Sequence, residues 1–140
     1  MKECKIIELQ KHNDLRGGLV VGEIQKEIPF EIKRFFFSYG FSEDAVRGQH
    51  ANKNSEFVMV CVTGSCKVCV DNGKGEREFF LLDKPWEGLY LDRMTWKKMY
   101  DFSDDAVLLC LVSTLYDGEE YIKEYAEFKK VIEIEEEEMK

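Results

Sequence analysis

His50 is the one imidazole in the central part of the chain; the only other, His12, lies near the N-terminus. An imidazole has the side-chain pKa best suited to moving protons near neutrality. A base that removes a proton beside a ketone, and returns one to the next carbon, moves the ketone along the ring. That chemistry needs a base and an acid but no metal and no cofactor. A satisfied, half-buried structural histidine is the competing reading of His50. Arg47 and Lys53 flank it at odd offsets and are candidates for the mouth of a pocket, where Arg grips a diphosphate bidentately and Lys acts as a point charge. Lys97 is the rival base, since burial can lower an amine's pKa. Phe35, Phe36, Phe37, Tyr90, Trp96 and Tyr100 could stack on a base or a sugar, or simply fill a core.

These residues need a scaffold of strands. The segments 17–24, 30–39, 56–64, 65–73, 76–83, 87–94, 95–102 and 106–113 are short, rich in Val, Phe, Tyr and Cys, and separated by turn signals. Asn72-Gly73 predicts a tight hairpin, and Thr63-Gly64-Ser65 another turn. Pro29 and Pro85 fall between strands. Tyr121, Ile122, Tyr125, Phe128 and Ile132 recur at helical spacing, so a C-terminal helix is expected over 118–137, capped by Asp117 with Glu120 three residues on. With no repeat and no linker, residues 1–140 read as one domain, all-β with one C-terminal helix.

Composition excludes several classes. A net charge of −8, much of it in the Glu-rich tail, is a poor footprint for nucleic acid. No stretch approaches the roughly 18 apolar residues of a membrane helix, and the N-terminus carries no leader pattern. Five cysteines without such a leader suit free thiols in a reducing cytoplasm. Cys66 and Cys69 form a C-x-x-C, but three residues apart on a strand they face opposite ways, so they read as packing groups.

His50 and Asn52, two apart on a strand, point the same way, and with Glu56 they resemble the first motif of the cupins, jelly-roll barrels that often bind a metal inside. The second histidine of that motif is Asn52 here, and no histidine follows. One imidazole cannot supply the usual nitrogen ligands, so a barrel without metal is expected.

The whole pattern resembles the nucleotide-sugar 3,4-ketoisomerases of bacterial surface-polysaccharide synthesis, which serve O-antigen and S-layer glycans. The markers are Arg16-Gly17-Gly18-Leu19-Val20, the run from Ile28 to Arg34, Arg47-Gly48-x-His50, and Val60-Cys61-Val62-x-Gly64-Ser65-Cys66-x-Val68. Gly88-Leu89-Tyr90, Trp96-x-x-Met99-x-Asp101-Phe102-Ser103 and Tyr116-Asp117-x-x-x-Tyr121-Ile122 complete them, over roughly residues 5–130.

The resemblance implies a cytoplasmic homodimeric cupin without metal or cofactor. It would move the ketone of a dTDP-4-keto-6-deoxyglucose from C4 to C3, ahead of an aminotransferase that makes a 3-amino sugar. His50 matches the catalytic base, and Arg16 the version that gives a galacto-configured product. Asn52 replaces a second histidine, Phe36 a tyrosine that assists the base, and Lys97 a His or Arg. Lys97 or Tyr100 would then serve as the acid, with Arg16, Phe36, Arg47, Asn52, Lys53 and Tyr90 about the substrate. A nucleotide-sugar-binding cupin without activity and a related epimerase are the alternatives.

Overall fold

The computed structural model describes residues 3–140. Twelve strands run in chain order: β1 (Cys4–Glu8), β2 (Gln10–Asp14), β3 (Gly17–Val21), β4 (Arg34–Tyr39), β5 (Arg47–Asn52), β6 (Phe57–Thr63), β7 (Cys66–Asp71), β8 (Arg77–Leu82), β9 (Glu87–Leu91), β10 (Trp96–Tyr100), β11 (Val107–Val112) and β12 (Tyr121–Ile122). A single α-helix, α1 (Tyr125–Glu138), follows. Two five-stranded antiparallel sheets form, ordered β1-β9-β6-β11-β4 and β12-β5-β10-β7-β8. Among the described residues β2 and β3 pair only with each other.

The two sheets share one apolar interior. Phe57, Met59 and Cys61 of β6, Leu89 and Leu91 of β9, and Leu108, Cys110 and Val112 of β11 come from the first sheet. Cys66, Val68 and Val70 of β7, Leu82 of β8 and Met99 of β10 come from the second. The period of two is visible throughout. Cys66 lies in that core while Cys69 does not, so the C-x-x-C thiols do face opposite sides. Residues Val58, Val60 and Tyr90 face outward from the first sheet, beneath Ile28 and Phe30 of the covering segment before β4.

Three sequence expectations need correcting. β7 and β8 are joined not by a two-residue turn at Asn72-Gly73 but by Asn72–Glu76. There Asn72 N–H donates to the Glu76 carbonyl and Gly73 and Gly75 both have positive φ. Strand β1, unforeseen, adds to β9 at the sheet edge.

The expected helix over 118–137 begins late. Asp117 caps only a 3₁₀ turn over Gly118–Glu120, its carboxylate accepting from Glu119 N–H. Tyr121 and Ile122 then pair with β5 as β12, and α1 starts at Tyr125. The apolar residues at 121 and 122 fit the helical period, but tertiary pairing with β5 overrides it. Phe128 and Ile132 of α1 pack on Ala51, Met94 and Ile122, holding β12 against β5 from behind. Among the described residues no helix is long and apolar enough to cross a membrane.

Candidate active site

The site forms where the sheets come together along β4, β5, β10, β11 and β12. Directly paired residues of an antiparallel ladder share a face, so register tells which side chains point inward. Met99 faces the core, and its partner Arg47 therefore does too. Lys97, two residues from Met99, is inward as well and is paired with His50. Arg47 and His50 are three apart and in a regular strand would face opposite ways. Between them the register shifts: Lys98 pairs with Gly48 and Gln49 is left unpaired. Gly48 (φ 82°) and Gln49 (φ 59°) take up this bulge. On β4, Phe36 pairs with the inward Cys110 and Arg34 with the inward Val112.

His50 is half-buried, its ring 4.8 Å from that of Tyr121. Tyr121 in turn meets Tyr116, with centroids 5.9 Å apart, and its hydroxyl accepts from Arg34 Nη2 at 3.3 Å. The Arg34 guanidinium lies 5.9 Å from the Phe36 ring and 5.4 Å from that of Tyr116. Its Nε is buried without a hydrogen-bond partner among the described residues. Burial, then the charge of Lys97, pushes His50 down to about 4, so it is neutral at pH 7.

Lys97 is 2% exposed. Its Nζ donates to Asn52 Oδ1 at 2.7 Å and sits 4.4 Å from the centroid of the Phe57 ring. Burial pulls this amine down to about 7. Asn52 Nδ2 donates to Glu120 Oε2 at 3.1 Å. Glu120 also accepts from Asn54 N–H, Ser55 N–H and the Ser55 hydroxyl. Burial raises the Glu120 carboxyl, but these hydrogen bonds outweigh it and leave it below its ordinary value. The Cys110 thiol is pushed up to about 12 by burial, against the lowering charges of Lys97, Arg47 and Arg34.

His50, Lys97, Asn52, Arg47 and Phe36 of the sequence prediction therefore meet on one wall, and four predicted residues do not join them. Tyr100 alternates with the inward Met99 and lies on the outer face beside Lys98, 5.1 Å from the ring centroid, so it cannot serve as the acid at His50. Tyr90 is buried on the outward side of β9, donating to Glu56, because its neighbours Leu89 and Leu91 take the inner face. Glu56 is thereby also turned away from His50. Lys53 lies past the end of β5, exposed, its backbone tied to Glu120 O and Arg93. Arg16 sits at the β2–β3 turn in an exposed ion pair with Asp14 at 2.6 Å, and no contact among the described residues brings it to His50.

Sequence reasoning misses Glu120, Tyr121 and Tyr116 as members of the site. Glu120 and Tyr121 arrive through the 3₁₀ turn and β12, which the helical spacing of the segment concealed, and Tyr116 lies just ahead of that turn.

The family model described as WxcM-like, C-terminal (FdtA) matches residues 2–133. The chain belongs to this family. It is 44% identical over 130 residues to the TDP-4-oxo-6-deoxy-alpha-D-glucose-3,4-oxoisomerase of Aneurinibacillus thermoaerophilus, 93% of each chain being covered. The TDP-fucose-3,4-ketoisomerase WlaRA of Campylobacter jejuni superposes with a TM-score of 0.86 at 41% identity, over 91% of this chain and 94% of that one. The 3,4-ketoisomerase QdtA of Thermoanaerobacterium thermosaccharolyticum, solved as a mutant with TDP-4-keto-6-deoxyglucose, gives 0.90 at 30% identity over 94% of each.

Proposed function

We propose that this protein is a nucleotide-sugar 3,4-ketoisomerase that moves the ketone of dTDP-4-keto-6-deoxyglucose from C4 to C3. The observation that carries this is the inner wall itself. In a chain of net charge −8, Arg34, Arg47, Lys97 and His50 all turn inward at one seam, and the buried Arg34 Nε has no hydrogen-bond partner among the described residues. Such a wall suits an anionic diphosphate joined to a neutral sugar.

The reaction needs only proton movements. His50 takes the C3 proton while O4 receives one, giving an enediol across C3 and C4. A proton then returns to C4 as O3 gives its own up, so atoms balance and no electrons leave the sugar. His50, neutral at pH 7, is the base; Lys97, near 7, is the group that can give a proton to O4 and take one from O3.

The scaffold for this chemistry is the jelly-roll barrel of a cupin, supported by the strand order β4-β11-β6-β9 facing β5-β10-β7-β8. The working unit is a homodimer in the cytoplasm. Its supports are the β2–β3 hairpin, paired with nothing else among the described residues and exposing Leu15 and Leu19, the exposed outer row Phe35, Phe37 and Tyr39 on β4, and five free thiols. In the dimer Arg16 of that hairpin would be free to meet substrate. The 3-keto product suits an aminotransferase making a 3-amino sugar for O-antigen or S-layer glycans.

The test is to incubate the protein with dTDP-4-keto-6-deoxyglucose in D₂O and follow the ring by NMR. The parent should form the 3-keto sugar and place deuterium on the carbon that regains a proton. His50→Asn should bind the nucleotide sugar normally while losing roughly 10²–10⁴-fold in rate, the usual share of a general base. If the parent binds but neither isomerises nor exchanges, the inactive nucleotide-sugar-binding reading replaces this one.

A further inference from the structure

Lys97, Asn52 and Glu120 form one continuous chain of buried polar groups, each at most 3% exposed. Its direction is not arbitrary. The Glu120 carboxylate only accepts, so the side of Asn52 that faces it must be the amide nitrogen. The amide oxygen then has to face Lys97, whose amine donates to it at 2.7 Å. Glu120 is itself clamped at both oxygens. Asn54 N–H (2.9 Å) and Ser55 N–H (3.0 Å) donate to Oε1, and the Ser55 hydroxyl, itself 2.6 Å from Thr114 Oγ1, reaches Oε2. A carboxylate so fixed cannot rotate away, and the amide beyond it cannot flip without setting donor against donor. Nothing in the proposed reaction touches Glu120 or Asn54.

We propose that Glu120 is a positioning residue for this site: acting through the orientation of Asn52, it holds the Lys97 amine on the inner wall beside His50. The inference rests on the reading of Lys97 as the second proton-transfer group. The chain also has an electrostatic side. The groups around Lys97 are His50 on β5, Cys110 on β11, Cys4 on β1 and Glu120 beyond Asn52. Burial strongly opposes the ammonium form, and Glu120 is the one carboxylate among them that favours it. Cys110 and Cys4 also favour the ammonium form, but both thiols are pushed up by burial and stay protonated near neutrality, which leaves Glu120 as the fixed negative charge on the amine's side. Asn52 supplies geometry without a charge of its own, where a carboxylate in direct contact would lock the lysine as a permanent cation.

The experiment combines Glu120→Gln with a direct view of the lysine. The protein is reductively ¹³C-methylated and its lysines titrated by NMR; a signal titrating near neutrality and absent from Lys97→Met is Lys97. In parallel, the pH profile of isomerisation of dTDP-4-keto-6-deoxyglucose identifies the limb that Lys97→Met abolishes. Glu120→Gln turns a donor toward Asn52, flips its amide and removes the negative charge. The Lys97 titration and its kinetic limb should move down together by about one unit, the lower end for loss of a nearby opposite charge. Glu120→Asp, which keeps the carboxylate, should restore most of that shift.

Phe128→Leu loosens the same edge strand from behind and serves as the structural control: it should lower Tm and leave the limb in place. If Glu120→Gln folds and both titration and limb stay at the parent value, the proposal is overturned. If Glu120→Gln does not fold, Glu120→Asp and Asn52→Ala carry the same test: an unmoved Lys97 signal in Asn52→Ala overturns it equally. If the Lys97 signal moves but Lys97→Met abolishes no limb, the positioning stands and the catalytic reading of Lys97 fails, so the two failures are distinct.

Discussion

Replacing Gly48 by alanine should damage fold and binding together, because this glycine sets the phase of β5. Its φ is 82°, and an added Cβ would lie 2.9 Å from the Lys97 carbonyl oxygen and 3.1 Å from Met99 Sδ. Left-handed backbone costs an L-residue about 1–2 kcal/mol. Pressing a methyl onto the neighbouring strand adds about 1–3 kcal/mol of overpacking. Gly75 makes the matched control: its φ is 88°, but nothing lies within 4 Å of its Cβ position. Gly75→Ala should therefore show the backbone cost alone, and the difference between the two variants in urea melts measures the clash.

The chain can relieve that clash by flattening the bulge, which turns Arg47 from the inner face. The charged hydrogen bonds that Arg47 would make to a diphosphate are worth about 1.5–3 kcal/mol. Affinity for TDP should then fall by about 10- to 150-fold in Gly48→Ala by calorimetry, and remain near the parent value in Gly75→Ala. Equal stability in the two alanine variants, with unchanged TDP affinity in Gly48→Ala, would refute the claim that the bulge aims Arg47.

Two further outcomes follow from burial and exposure. The lowered amine of Lys97 sheds its proton in the folded chain near pH 7 while the unfolded chain keeps it to about pH 10, so the unfolded state binds more protons in between and stability rises with pH. Above pH 9 the raised Cys4 and Cys110 thiols act in the opposite sense. The window is therefore pH 7–8.5, where urea melts should show the parent gaining about 1–2 kcal/mol and Lys97→Met gaining none; a flat parent curve contradicts the burial argument. Separately, light scattering at micromolar concentration should find a dimer for the parent and a shift to monomer for Phe37→Asp, whose site lies on the exposed outer row of β4; a monomeric parent rules out the proposed assembly.

The parts of the fold carried by local alternation were legible in the sequence. β6, β7, β10 and β11 stand where β-branched and aromatic residues cluster between turn signals, and the period of two placed His50 and Asn52 on one face. Legibility ended where a face had to be chosen inside a continuous apolar run. In Leu89-Tyr90-Leu91 all three residues are buried, so pattern alone could not tell that tyrosine belongs to the outer layer. Tyr100 was within reach: three residues from Lys97 on a regular strand, it must face the other way. Arg47 ran against the same rule and was rescued only by the bulge, which Gly48 hints at and Gln49 does not. Glu120 and Tyr121 were hidden by a helical spacing that is real but begins too early, since two of its apolar residues are spent on pairing with β5.

The electrostatics of the inner wall imply that binding and protonation are one event. In the free protein, burial and then the charge of Lys97 hold His50 at about 4, while burial alone holds Lys97 at about 7. A diphosphate that Arg34 and Arg47 would seat, as proposed, brings negative charge to the same wall and favours the protonated form of both groups. Lys97 starts closer to neutrality, so at pH 7.5–8 it takes the proton first, while His50 stays neutral. Substrate binding would thus load the acid and leave the base free, the separation of roles that two titrating groups in one site require. Calorimetry of TDP binding at pH 7.5–8, in two buffers of different ionisation enthalpy, should show uptake of up to about one proton per site. That uptake should vanish in Lys97→Met and persist in His50→Asn. Proton-neutral binding by the parent would mean that the diphosphate lies too far from Lys97 to feel it, and the placement of the nucleotide along Arg34 and Arg47 would have to be abandoned.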